Sequence, residues 1–158
     1  MYFFKQEKDY IVKYEITLNN EELESLKLEI INKCSYINFI DEIFGFKSNK
    51  ESIEKMIRKN KVLVIKNKDE VVASITLEER YEYIKCQKYY YISYLGVKKS
   101  YRRRGLASKL FDKVEELVQE NDIKYLELTS GNQRKHAHYF YKDKNFKIKD
   151  TMVFVKFY

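Results

Sequence analysis

The sequence predicts an α/β sandwich built on one mixed, largely antiparallel sheet, and three observations carry that prediction. Tyr89–Val97 is apolar or aromatic at nearly every position, the pattern of a strand buried on both faces in mid-sheet. It is followed by a helical stripe of Leu106, Ala107, Leu110, Phe111, Val114, Leu117 and Val118, and then by a short run, Tyr125–Thr129. Strand, helix and strand in that order imply a parallel pair joined by a right-handed crossover. Upstream, Val62–Lys66 and Val71–Glu79 flank the turn-like Asn67–Glu70 and predict a hairpin.

The remaining elements follow in chain order. Tyr10–Leu18 alternates apolar and polar residues and reads as a first strand. Asn20 is placed to cap a helix over Glu21–Lys33, with Leu23, Leu26, Ile30 and Ile31 on one face. Tyr36–Phe46 reads as a helix ending at Gly45, and Ser48 with Glu51 forms a capping-box pattern for a short helix through Asn60. The amphipathic stripe sets a helix over Gly105–Glu120, a last helix covers Gln133–Lys144, and Phe146–Tyr158 supplies one or two closing strands. There is no proline, linker, repeat or low-complexity segment, so residues 1–158 are expected to form a single domain.

Composition narrows the function classes. A chain of 158 residues with 44% hydrophobic content can bury a core of its own. The 15 tyrosines and 10 phenylalanines suit half-buried surfaces and pocket walls, since tyrosine packs its ring and keeps a polar tip. A net charge of +7 favours anionic partners, although scattered lysines also simply solvate a surface. Cys34 and Cys86 are far apart and His136 and His138 are the only histidines, so no zinc site is expected and the thiols are expected to be free. The N-terminal stretch turns charged at once, unlike a signal peptide, and no apolar run approaches membrane-spanning length. These features point to a soluble, cytoplasmic protein.

The chemistry concentrates at one turn. Three of the six arginines are consecutive, Arg102-Arg103-Arg104, directly before Gly105 and the start of a helix. Gly96 and Gly131 also lie where a strand gives way to a loop. Gly105 lets a loop wrap a ligand closely, Ala107 keeps the approach open, and the following helix presents unpaired N–H groups and a positive dipole end. Together these form an anion cradle, with the arginines adding charge. Taken alone, the segment is also what a basic turn before a helix looks like.

Two motifs add to that reading. Arg102-x-x-Gly105-x-Ala107, after Leu95-Gly96-Val97 and before an amphipathic helix, resembles the acetyl-CoA motif of the GCN5-related N-acetyltransferase (GNAT) family. Ala137-His138-Tyr139-Phe140-Tyr141 through Asn145-Phe146 resembles that family's C-terminal motif, and Thr129–Arg134 a common variant of the stretch before it. The resemblance covers residues 62–158 and, through the element order, the whole chain. It implies a central sheet flanked by helices on both faces and acetyl-CoA as the acetyl donor. Leu95, Gly96 and Val97 would offer backbone groups to the pantetheine arm, with the Val97 N–H at the thioester oxygen. Arg102, Arg103, Arg104, Gly105, Leu106, Ala107 and Ser108 would cradle the pyrophosphate, and Asn132 and Arg134 are further candidates for cofactor contact. Tyr141 matches the tyrosine that protonates the departing thiolate; as plain structure it is a packed helix tyrosine. His138 reads as a packing histidine and His136 as exposed.

Two positions depart from the family pattern. Asn145 stands in place of the usual glycine, and asparagine tolerates the left-handed conformation. Ser93 stands where many relatives place a basic carboxylate. Glu78, Glu79 or Glu82 on the neighbouring strand could act through water, and Glu79 is the assigned base; otherwise the amine arrives neutral. The function implied is direct acetyl transfer from acetyl-CoA to a primary amine of a small molecule or peptide. Acidic and aromatic residues around Glu78–Tyr91 suit a cationic or partly apolar acceptor, and the aromatic strands suit a homodimer. The alternatives are a non-catalytic acyl-CoA sensor, motivated by Ser93, and a nucleic-acid module that stacks bases on tyrosines between Arg80 and Arg104. The second is disfavoured because a diphosphate already accounts for the arginines, so no nucleic-acid partner and no membrane partner are expected.

Overall fold

The computed structural model of the chain describes residues 9–10, 31–67 and 70–158. They fall into two compact units, Met1–Leu128 and Thr129–Tyr158.

In the first unit, β1 (Asp9–Tyr10) pairs antiparallel with β2 (Ile31–Asn32). Most of the strand expected over Tyr10–Leu18 and of the helix expected over Glu21–Lys33 lies outside the described residues. At the end of that helix the outcome differs: Ile31 and Asn32 are strand, and Lys33 already opens α1 (Lys33–Phe44). Pairing with β1 overrides the helical periodicity that Ile30 and Ile31 suggested. The chain leaves α1 at Gly45, as expected, with φ at 72°. Along α1, Tyr36, Phe39, Ile40 and Ile43 recur at helical spacing, and the first three are buried.

α2 (Lys50–Lys59) is capped by Asn49, whose side chain accepts from the Ser52 amide at 3.1 Å. The Ser48–Glu51 capping box does not form. The Ser48 amide instead donates to Asp41 Oδ1 at 2.8 Å, so Ser48 ties the loop back to α1 and the cap falls one residue later. Ile53, Met56 and Ile57 turn the apolar side of α2 into a cluster with Tyr36, Phe39, Ile40, Val62, Val64 and Val71.

The main sheet has the order β3 (Lys61–Asn67), β4 (Glu70–Glu82), β5 (Gln87–Val97), β6 (Tyr125–Leu128). The β3–β4 and β4–β5 pairs are antiparallel and β5–β6 is parallel, so both the hairpin and the crossover expected from the sequence form. The crossover helix is α3 (Leu106–Glu120), preceded by a 3-10 turn at Lys99–Tyr101. Leu106, Leu110, Phe111, Val114 and Leu117 of α3 are all buried, and α3 packs against β3, β4 and β5. Each such side chain contributes about 1.5–3 kcal/mol on burial.

Period-two alternation divides the sheet faces. Val62, Val64, Ser74 and Gly96 lie on the α1/α2 face: Val64 is opposite Ser74, and Ser74 is opposite Gly96. Tyr36 Oη is 3.4 Å from Ser74 Oγ, and Phe44 meets Tyr94 edge-on at 5.4 Å. Leu63, Ile75 and Leu77 alternate with these residues and are fully buried on the other face. Helices therefore flank the sheet of this unit on both faces. β4 is longer than the Val71–Glu79 expected, because β5 pairs with it as far as Glu82↔Gln87.

The second unit holds α4 (Lys135–Asp143), shorter at both ends than the Gln133–Lys144 expected. Beyond it, Asn145 adopts φ 64°, the left-handed conformation expected of it. The closing strands expected over Phe146–Tyr158 do not form. A strand exists only through a partner, and this segment joins no ladder. Its apolar residues, Ile148, Met152, Phe154 and Phe157 among them, are exposed.

Gly96 is needed for packing. A Cβ there would sit 2.5 Å from Ile43 Cγ2, so α1 lies almost on the β5 backbone. Gly96→Ala is expected to destabilise the protein by about 1–3 kcal/mol in urea unfolding. The same change should cost much less in an Ile43→Ala background. Equal costs in both backgrounds would show that Ile43 is not the obstacle.

Candidate active site

The site begins where β5 loses its outer neighbour. The β5–β6 ladder ends at Ile92↔Leu128, yet β5 continues to Val97. From Ser93 on, no described strand pairs with β5 on the side away from β4. The directions of the backbone groups there follow from one hydrogen bond. The Lys98 amide donates to the Val72 carbonyl at 2.9 Å, which makes Ala73↔Val97 a non-hydrogen-bonded pair. The N–H and C=O of Val97 therefore point away from β4, and by alternation so do those of Leu95. Gly96, between them, bonds towards β4.

A β-bulge lies just before this open stretch. Thr76 pairs with Tyr94 and Leu77 with Ile92, leaving Ser93 as the extra residue. Its Oγ is buried and has no hydrogen-bond partner among the described residues. Bulges bend and twist a strand, which suits an edge that separates from its neighbour.

Past Val97 the loop is braced at several points. Lys98 Nζ is 2.6 Å from Glu42 Oε2 of α1 and 2.7 Å from Glu70 Oε1 of β4, with only 12% of its side chain exposed. Burial works against its charge, but the hydrogen bonds to Glu42 and Glu70 outweigh that and raise its pKa above the ordinary lysine value. Asn67 Nδ2 donates to Tyr101 Oη at 2.6 Å, and the Arg104 guanidinium lies 5.3 Å from the Tyr101 ring centroid. Arg102 Nε donates to the Val97 carbonyl at 3.1 Å, answering one of the two groups Val97 turns outward. Arg103 is held at φ 61°, a conformation costly for a side chain with a Cβ.

Gly105 caps α3 at φ 74°, a backbone only glycine adopts freely, with no side-chain hydrogen bond to the helix. The first amides of α3, at Leu106, Ala107 and Ser108, thus follow directly from the arginine turn, without a side-chain cap. The structure therefore brings together Leu95, Gly96, Val97, Arg102–Arg104 and the start of α3 in one continuous run. This is the set of polar groups that an amide-bearing arm ending in a diphosphate needs.

Glu79 lies elsewhere in the sheet. Glu79 is opposite Tyr90, about 13 Å along β4 from Ile75, the partner of Leu95, and 3.8 Å from Lys61 Nζ. The structure does not bring Glu79 to the open edge. Glu78 is on the alternate face, bound to Arg80 at 2.6 Å. In the second unit, Asn132 and Arg134 form a turn closed by the Arg134 amide on the Gly131 carbonyl at 2.9 Å, both residues exposed. Tyr141 packs its ring 5.8 Å from Phe140 and 5.8 Å from Phe146. Burial raises the Tyr141 pKa above the ordinary tyrosine value, partly offset by Arg134. His136 is exposed and His138 half-buried. Among the described residues there is no cluster of metal-ligating side chains, and no helix is long and apolar enough to cross a membrane.

The Acetyltransferase (GNAT) family model matches residues 28–146, three-quarters of the chain. Solved structures share the fold. An aminoglycoside acetyltransferase from an uncultured soil metagenomic sample, solved with sisomicin, superposes with a TM-score of 0.69 at 18% identity, covering 87% of this chain and 99% of that one. A ribosomal-protein-alanine N-acetyltransferase from Brucella melitensis gives 0.67 at 13% identity over 80% and 93%. A possible acetyltransferase from Clostridium difficile gives 0.64 at 21% identity over 80% and 88%. No curated protein sequence matches the chain. The chain belongs to the GNAT acetyltransferase family, and by class it is an acyl-CoA-dependent N-acetyltransferase.

The Lys98 triad should hold the arginine loop in place. Lys98→Met is expected to lower stability at neutral pH by about 1–3 kcal/mol, since it leaves two carboxylates facing a half-buried apolar group. Lys98 has a raised pKa when folded, so its contribution is complete below the unfolded lysine pKa and is lost as pH rises through the folded value. Wild-type and variant stabilities, followed by urea unfolding, should converge only in that alkaline range. Convergence near neutral pH would contradict the assignment.

Proposed function

We propose that this chain transfers the acetyl group of acetyl-CoA directly to a primary amine of a small molecule or peptide, acting in the cytoplasm as a single acetyltransferase domain. One observation carries the reading: the outward-facing backbone of Leu95 and Val97 runs through the arginine turn into the uncapped start of a 15-residue helix. Acetyl-CoA supplies an activated thioester, an amide-bearing pantetheine arm and a diphosphate. Leu95 and Val97 would hold the arm as an added strand does. The amides of Leu106, Ala107 and Ser108, with the helix dipole and Arg103, would hold the diphosphate. Arg102 and Arg104 contribute charge from positions fixed by Val97 and Tyr101.

Because Val97 adjoins the diphosphate turn and its carbonyl is taken by Arg102, the arm would run on towards Leu95, and the outward N–H of Leu95, rather than that of Val97, would donate to the thioester oxygen as negative charge builds on it during attack by the amine. Tyr141 is assigned the proton returned to the thiolate. Its raised pKa supports that role, because the phenol stays protonated throughout the neutral range. Proton removal from the acceptor needs no fixed carboxylate if the amine is delivered neutral. At its distance, Glu79 serves only through a chain of waters. The named relatives act on aminoglycosides and on a ribosomal-protein alanine, and both chemistries present a primary amine.

The second reading is an acyl-CoA sensor without turnover. Ser93, a buried hydroxyl at the bulge, and the remoteness of Glu79 favour it. Thiol release from acetyl-CoA over a panel of amines separates the two: release with any amine supports transfer, whereas binding of acetyl-CoA without release supports sensing.

For transfer, Tyr141→Phe should lower kcat roughly tenfold to a thousandfold and leave acetyl-CoA affinity nearly unchanged. At saturating amine, wild-type kcat should decline only above the ordinary tyrosine range, and that limb should vanish in the variant. Unaltered turnover in Tyr141→Phe would remove Tyr141 from the mechanism.

A further inference from the structure

Past the end of β3, β4 and β5 continue as a ribbon whose α1-side face carries a strip of charged and aromatic groups. Register defines the strip: Glu78 is opposite Tyr91, Arg80 opposite Tyr89, Tyr89 beside Tyr125, and Tyr91 beside Glu127. Alternation from Ser74 through Thr76 places Glu78 and Arg80 on the face over which α1 lies. Tyr89 and Tyr125 stack at 4.6 Å with planes 10° apart.

Within this strip one cation is already bound. The Arg80 guanidinium lies 3.8 Å from the Tyr91 ring centroid, and its Nη2 and Nε donate to Glu78 Oε2 at 2.6 and 3.2 Å. A carboxylate beside an aromatic face is the arrangement that recognises an alkylammonium. Arg80 and Glu78 keep 41% and 31% of their side chains exposed, and an ion pair that exposed adds little stability and breaks readily.

We propose that Arg80 is a stand-in for a second cationic group of the acceptor, filling a subsite made by Glu78 and Tyr91 until an acceptor ammonium displaces it. Tyr91 is four residues from Leu95 along β5, about 13 Å before the bulge shortens the path. The acceptor class is therefore a linear di- or polyamine whose second nitrogen lies roughly that far from the reacting one. Tethering through both ends lets the ligand compete with Arg80, since the second contact forms at high effective concentration. Burial works against the Arg80 charge, but Glu78 and Tyr89 outweigh it and raise its pKa, so a cation occupies the subsite at every physiological pH. The word acceptor rests on the acetyltransferase reading; the binding does not.

Titration calorimetry with diaminooctane and octylamine tests this without turnover. The wild type should bind diaminooctane about tenfold more tightly than octylamine. Arg80→Gln, which empties the subsite and leaves Glu78 unanswered, should tighten diaminooctane by about a further tenfold, and Glu78→Gln should erase the preference for the diamine. Unchanged or weaker diamine binding in Arg80→Gln overturns the proposal, as does equal binding of the two amines by the wild type. Acetyl-CoA titrated into each protein separates the two readings. Diamine preference without acetyl-CoA binding sinks the acetyltransferase reading alone, and the reverse pattern sinks the subsite alone.

Discussion

Past Ile92, β5 continues as extended backbone with a strand neighbour on one side only, and the polar groups it turns to the other side require partners. Much of the site can be understood from that requirement. Lys98 returns its amide to β4, so Val97 and Leu95 face outward. Arg102 answers the Val97 carbonyl from within the chain, which leaves the Val97 amide and the Leu95 groups as the positions a bound amide arm would fill. The bulge at Ser93 supplies the extra residue where β5 leaves its outer partner.

The loop that follows is braced by its own residues. Of the three consecutive arginines, two are engaged within the chain, Arg102 on Val97 and Arg104 on Tyr101. Lys98 links α1 to β4 beneath them, and Asn67 holds Tyr101 from the end of β3. A pre-formed loop loses less entropy on gripping a diphosphate than a flexible one. The strain at Arg103 is consistent with such a fixed turn, since an unfavourable backbone angle persists only where its surroundings impose it.

The order of the central strands, the parallel crossover and the start of a helix just after the arginine turn were legible because each rests on a local pattern. The Leu106–Leu117 stripe is that of a helix, and Tyr89–Val97 does lie between two strands over its first part, but it is not buried on both faces as its aromatic run suggested: Tyr89 and Tyr91 are half-buried and Tyr94 is exposed. What stayed hidden depends on pairing and on small competitions between neighbours. Asn49 rather than Ser48 caps α2, while the Ser48 amide is held by Asp41 of α1. Ile31 and Asn32 joined β1 rather than a helix. Phe146–Tyr158 is rich in aromatic and β-branched residues, but such composition only makes a segment fit for a ladder, and none among the described residues includes it. The bulge could not be read from the sequence, because one extra residue in an aromatic run leaves no mark. Without it the register would set Glu78 opposite Ile92 and Arg80 opposite Tyr90 rather than opposite Tyr91 and Tyr89, so the Arg80–Tyr91 contact was missed. The need for glycine at position 96 comes from α1 and not from a loop.

Backbone amide exchange with and without acetyl-CoA tests the central claim most directly, because the groups said to bind are amides. Saturating acetyl-CoA should slow exchange at Val97 and at Leu106, Ala107 and Ser108 by well over tenfold, while Gly96, already bonded to β4, changes little. Protection that appears elsewhere in the chain and leaves Val97 and the first turn of α3 exchanging at their free rates would contradict the account.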